Sequence, residues 1–126
     1  MNKPFKAFRF LDWKVYKDAQ QIFFEAHKIV NRLPKEYRFE IGTQIIRSSL
    51  SVVLNMAEGS GKSYKKDTAR FLDIALGSLY ETRAAFDTIQ SDPAISIQIP
   101  EKLISDMDEV RKQLGGFKKS LISAEK

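Results

Sequence analysis

Residues 44–58, QIIRSSLSVVLNMAE, form an almost wholly apolar stretch crossed by Gln44, Arg47, Ser51, Asn55 and Glu58 at steps of 3, 4, 4 and 3. Those steps put the five polar groups on one face of one helix. Ile45, Ile46, Leu50, Val52, Val53, Leu54, Met56 and Ala57 take the other faces, so the spacing predicts a helix buried on most sides. A buried arginine, asparagine or glutamate needs hydrogen-bonded partners. The pattern therefore predicts a structural network in which Arg47, Asn55 and Glu58 meet Glu81, with Arg83 nearby, on a neighbouring helix. On that reading Glu58→Ala costs on the order of 3 kcal/mol, because Arg47 is left unpaired in the interior.

The rest of the chain is also written in helical steps. Tyr16, Ala19, Phe23, Ala26, Val30 and Leu33 recur at 3, 4, 3, 4 and 3, flanked by Val15, Ile22 and Ile29, which predicts a helix over residues 12–32. Pro34 blocks its continuation, and a second helix is expected over 40–58, ended by Gly59 and Gly61. Ser63 is the expected N-cap of a third helix over 64–90, with the stripe Phe71, Ala75, Ser78, Thr82, Ala85 and Ile89 backed by Leu72, Leu79 and Phe86. Residues 91–99 read as the longest loop. Pro100 is then a favourable first helical position for a fourth helix over 100–122, carrying Leu103, Met107, Val110, Leu114, Phe117 and Leu121. Four helices of about 30 Å with short connections predict an all-α, antiparallel up-down four-helix bundle. A single domain over residues 1–126, with an arm at 1–10, accounts for the chain.

Composition narrows the functional classes. The absence of cysteine excludes a disulfide framework, a thiolate metal site and a cysteine nucleophile, and a lone His27 cannot build a histidine-rich site. The N-terminus has no apolar run of signal-peptide length, and no segment has the length of a membrane span, so a cytoplasmic location with no membrane partner is expected. A net charge of +5 is compatible with an acidic partner without demanding one.

Four segments carry a resemblance: W13-K-V-Y-K-D-A19, L33-P-K-E-Y-R-F39, S51-V-V-L-N-M-A-E-G59 and F71-L-D-I-A-L-G-S-L-Y-E81. Together they resemble the four-helix bundle proteins encoded in intervening sequences of bacterial large-subunit ribosomal RNA genes, over about residues 10–122. That family is related in fold to the accessory protein of diversity-generating retroelements. The resemblance implies a ring-shaped homopentamer and leaves the activity open. Tyr16 stands where the family usually has Trp, and Trp13 where it has Leu, so the aromatic anchor is displaced by one turn.

Three constellations bear on chemistry. Residues 59–63, GSGKS, end like a phosphate-binding loop, but Met56 stands where the first glycine belongs and a helix leads in, so helix termination is the better reading. Glu58 and Glu81 could hold a metal between helices, yet Gly61 and Ala84 replace the histidines of Glu-x-x-His pairs. The expectation is a protein that is not an enzyme and uses no cofactor. Cations supply the third. Lys14, Lys17, Lys28, Arg32 and Lys35 share an arc of the first helix, interrupted by Asp18, Gln21 and Glu25. Lys62, Lys65 and Lys66 surround Tyr64, and the arm alternates Lys3, Phe5, Lys6, Phe8, Arg9 and Phe10. Interleaved cations and aromatics suit weak, sequence-tolerant binding of RNA or DNA. Residues 1–38 carry a net +5 and 67–98 a net −3, a polarity that a ring repeats around its axis.

Assembly has its own signals. Gly77 and Ser78 leave a bare patch, Gly115 and Gly116 weaken the last helix, and Leu50, Leu54, Leu76 and Tyr80 lie outside the core stripes. Such residues suit a subunit interface. The expected role is a homo-oligomeric scaffold or assembly protein with nucleic-acid binding; the alternative is an accessory subunit for a partner enzyme such as a reverse transcriptase.

Overall fold

Pro34 marks the first reversal of the chain: it has no N–H to donate and disfavours helical backbone in the residue before it. Leu33 accordingly turns extended, with φ −63° and ψ 142°. The computed structural model describes residues 8–124. A 3-10 turn, Arg9–Asp12, precedes α1 (Lys14–Arg32); the single-turn α2 (Lys35–Arg38) leads into α3 (Glu40–Ser60), followed by α4 (Lys65–Ser91) and α5 (Glu101–Ala124). No strand occurs among the described residues. Lys3, Phe5 and Lys6 of the arm lie outside the described residues.

Each long helix packs on two others. α3 lies against α1 and α4, and α5 against α4 and α1, so the α1/α3 pair and the α4/α5 pair form opposite sides of a bundle. Between them, Ala19, Ile22, Ala26, Ile45, Val52, Met56, Leu72, Phe86, Val110 and Leu114 are at most 2% exposed. This is one continuous core. The stripes are turned slightly from the sequence reading. Val15, Ile22 and Ile29 face the centre of α1 while Tyr16 and Phe23 are half-buried, and on α4 Leu72, Leu79 and Phe86 replace Phe71 and Ser78 at the centre.

Details at the helix ends also differ from expectation. The N-cap of α4 is Tyr64, with no side-chain cap, and Ser63 makes none. Gly59 is inside α3, and Gly61 follows its end with ordinary right-handed backbone, its N–H donating to the Glu58 carbonyl at 3.1 Å. Pro100 sits one residue before α5, accepting from Leu103 and Ile104. The loop between α4 and α5 seals one end of the core. Ile97 and Ile99 are buried in it, Ser96 takes a positive φ of 49°, and the Gln90 side chain accepts from the Ile99 N–H at 2.8 Å.

Candidate assembly and nucleic-acid surfaces

The seam between α3 and α4 is built of small residues. Ser48 and Thr82 hydroxyls lie 2.7 Å apart, and Ser51 and Ser78 2.8 Å apart. The Asn55 amide donates to the Ser51 hydroxyl and carbonyl, both at 2.9 Å. Short side chains let the helices approach closely, and Gly59 leaves no room for a side chain: a Cβ there would lie 2.9 Å from Cβ of Phe71. The Gly59 carbonyl accepts from the Thr68 hydroxyl at 2.8 Å, tying the first turn of α4 to the end of α3. Gly59 therefore serves helix packing and needs no phosphate to explain it.

The expected network of Arg47, Asn55, Glu58 and Glu81 does not form. Arg47, Glu58 and Glu81 are all exposed, and only Asn55 joins the seam. Glu58 pairs instead with Lys62 of its own helical end, at 3.8 Å, with over half of its side chain in solvent. The register explains why. With Ser51 level with Ser78, Glu58 lies seven residues toward one end and Glu81 three toward the other, about 15 Å apart along the axis. The two glutamates cannot share a cation at that separation. Of the polar row read from the sequence, Ser51 and Asn55 join Ser48, which lay outside that row, in a hydroxyl ladder at one edge, while Gln44, Arg47 and Glu58 lie on a solvated face beyond it.

The eight basic residues do not converge on one surface. Lys14 bonds Asp18 at 2.6 Å and Lys28 bonds Glu25 at 3.0 Å, so two cations of the α1 arc are neutralised on their own helix. Asp18 also accepts from Gln113 of α5 at 3.1 Å. Burial raises the Asp18 pKa, but the bonds from Lys14 and Gln113 outweigh it and hold the carboxyl below its ordinary value. Arg32 reaches the Gln98 carbonyl at 3.4 Å, and Lys17 and Lys35 make no ion pair among the described residues. Lys14 and Arg32, 18 residues apart on α1, are about 27 Å from each other.

A tighter basic group sits where α3 passes into α4. Lys62, Lys65 and Lys66 surround Tyr64, which is 71% exposed. Lys62 and Arg70 both lie over the Phe71 ring, at 4.9 and 5.2 Å from its centroid. Arg70 was not among the expected contacts; its place one turn after Lys66 was the available signal.

The two opposite sides differ in character. Val30 abuts Gly42, which fixes the flanks of α1 and α3 that meet. Along those flanks the outward residues are Tyr16, Gln20, Phe23, Phe24 and His27 of α1, and Thr43, Ile46, Leu50, Leu54 and Ala57 of α3. Lys17 and Lys28 on α1, and Arg47 and Glu58 on α3, border these residues on the solvent side. Phe24 is 51% exposed, Leu54 55% and Phe39, at the head of α3, 82%. Across the bundle, α4 and α5 border a groove of about 710 Å³ floored by Leu79, Ile99 and Met107 and walled by Tyr80, Arg83 and Ile104. A shallower cleft of about 480 Å³ at Leu76, Gly77 and Gly115 continues it. Trp13 stacks edge-on against Phe117 at 5.2 Å and Tyr16 against Phe10 at 5.0 Å, so both displaced aromatics anchor the end of α1.

Among the described residues no helix is long and apolar enough to cross a membrane, and no group of three His, Asp or Glu side chains could hold a metal ion. A model of the family described as 23S rRNA-intervening sequence protein matches residues 11–116. Among solved structures, a protein of unknown function from the S23 ribosomal protein family of Bacteroides thetaiotaomicron is similar in fold, with a TM-score of 0.59 at 20% identity. That similarity covers 87% of this chain and 96% of the other. No curated protein matches the chain.

Proposed function

The chain belongs to the 23S rRNA-intervening sequence protein family, and from that premise we propose that it is a non-catalytic helical bundle that assembles with copies of itself into a ring of five. The observation that supports this reading is the exposure of large apolar side chains on the outer side of α1 and α3, where Phe24, Phe39 and Leu54 are each more than half exposed. Large apolar side chains left in solvent on one side of a small protein mark an interaction surface where they join into a patch. Light scattering on the intact chain after size exclusion tests it. A mass of five times the 14.5 kDa protomer is the expected result, and a mass of 14.5 kDa contradicts it.

Nucleic-acid binding is a second reading, favoured by the exposed Tyr64 among Lys62, Lys65 and Lys66 with Arg70 beside them. An exposed ring among cations can stack a base while the lysines meet phosphates, without reading sequence. A ring would repeat the cluster and raise its effect through multivalency. If one cluster neutralises about four phosphates, log affinity for a single strand falls with log salt at a slope near −3. Fluorescence anisotropy across a salt series measures this; a flat response contradicts the reading.

A further inference from the structure

Resting on the nucleic-acid reading above, we infer that a single strand of RNA or DNA lies across one end of the bundle only, running from Lys62 past the end of α3, over Lys65, Lys66 and Arg70 of α4, to Lys119 of α5. The cations at the opposite end take no part.

The axial register divides the charge. Gly42 abuts Val30, Ser51 meets Ser78, and Lys118 bonds Asp73 at 2.7 Å, which sets the four long helices level with one another. At the height of Ser51 and Ser78, α1 and α5 pass residues 21 and 113. On the side of that level where α3 passes into α4, residues 8–21, 51–78 and 113–124 hold nine basic and five acidic side chains. On the other side, residues 22–50 and 79–112 hold nine and ten. One end is therefore a cationic cap and the other is close to balanced. The 19 residues of α1 separate the ends by about 28 Å, some three Debye lengths at physiological salt, so a phosphate at one end feels little of the charge at the other.

Pairing sharpens the division. Lys65, Lys66, Arg70 and Lys119 are exposed and make no ion pair among the described residues. At the opposite end, Lys28 and Lys102 hold acids of their own helices, and Arg32 and Arg38 hold backbone carbonyls. Those four have partners to give up before they can meet a phosphate.

Lys119 extends the Tyr64 cluster sideways. It follows Lys118, whose bond to Asp73 fixes α5 against α4, so Lys119 and Arg70 differ by about 3 Å in height. α4 packs on both α3 and α5, and packed helices lie about 8–10 Å apart. Exposed cations on successive elements thus form a track across the end, with Tyr64, 71% exposed, set into it for a base to stack on.

Lysine acetylation of the intact chain, read by mass spectrometry, maps the contact with and without a saturating oligouridylate or, in a parallel arm, an oligothymidylate. Fluorescence anisotropy with the same strands comes first. Protection of Lys65, Lys66 and Lys119 in at least one arm, with unchanged labelling of Lys28 and Lys35, is the expected result. Lys119→Gln should weaken binding and take about 0.7 off the slope of log affinity against log salt, while Lys35→Gln, at the wrong end, matches the parent. Protection of Lys35, a Lys119 that labels equally with and without either strand, or equal weakening by the two variants overturns the inference and leaves the nucleic-acid reading standing. No anisotropy change with either strand at low salt overturns that reading itself, and the inference with it.

Discussion

Gly59 and Glu58 are neighbours with opposite sensitivities. A Cβ at residue 59 meets Phe71 at its own Cβ, an atom that cannot swing aside, so Gly59→Ala forces α3 and α4 apart. Urea denaturation is expected to show a loss of about 2 kcal/mol, the usual scale for overpacking. Glu58→Ala, by contrast, removes a 3.8 Å surface pair and is expected to change stability by no more than about 0.5 kcal/mol. This reverses the 3 kcal/mol order of loss that the sequence pattern implied. The misreading has a physical source. Arg47 and Glu58 share a helix face with Ser51, but spacing fixes only which residues share a face and not which face is covered. Leu50 and Leu54 made α3 look apolar all round; half-buried and 55% exposed respectively, they border the solvated face.

Helices were legible because their repeats are long and capped by breakers: Pro34 and the run from Gly59 to Gly61 stand at real reversals. Rotation about each helix axis was not, since Phe23 and Ile22 are both wholly apolar side chains and only packing against α3 and α5 decides which points inward. The α1–α5 contact adds a pH dependence. Asp18 has its pKa lowered in the folded protein by Lys14 and Gln113, against the opposing effect of burial. A carboxyl lowered on folding contributes stability above its unfolded pKa and loses it as pH falls through the folded value. Between pH 6 and pH 3, the parent is therefore expected to lose more stability than Asp18→Asn, measured by urea denaturation at each pH; equal losses would remove Asp18 from the account. Within α5, Gly116 has no neighbour within 4 Å of an added Cβ. Gly116→Ala should stabilise the bundle by up to about 0.8 kcal/mol, read from its unfolding midpoint.

At the scale of the whole molecule, the sequence divided its charge without showing where the charge would gather. The fold spreads the α1 lysines along a rod, pairs Lys14 and Lys28 with acids of their own helix, and gathers Lys62, itself paired with Glu58, with Lys65, Lys66 and Arg70 at the α3–α4 passage. It also brings Phe24 of α1 and Leu54 of α3, each more than half exposed, onto one side, which no single-helix pattern displays. Self-assembly through that side is the central claim, and sedimentation equilibrium of the parent beside Phe24→Glu/Leu54→Glu tests it most directly. Both residues are more than half exposed, so the double variant should keep its helical circular dichroism. The account predicts a parent mass several times 14.5 kDa and a variant mass of 14.5 kDa; a parent already at the protomer mass, or a folded variant that still assembles, would contradict it.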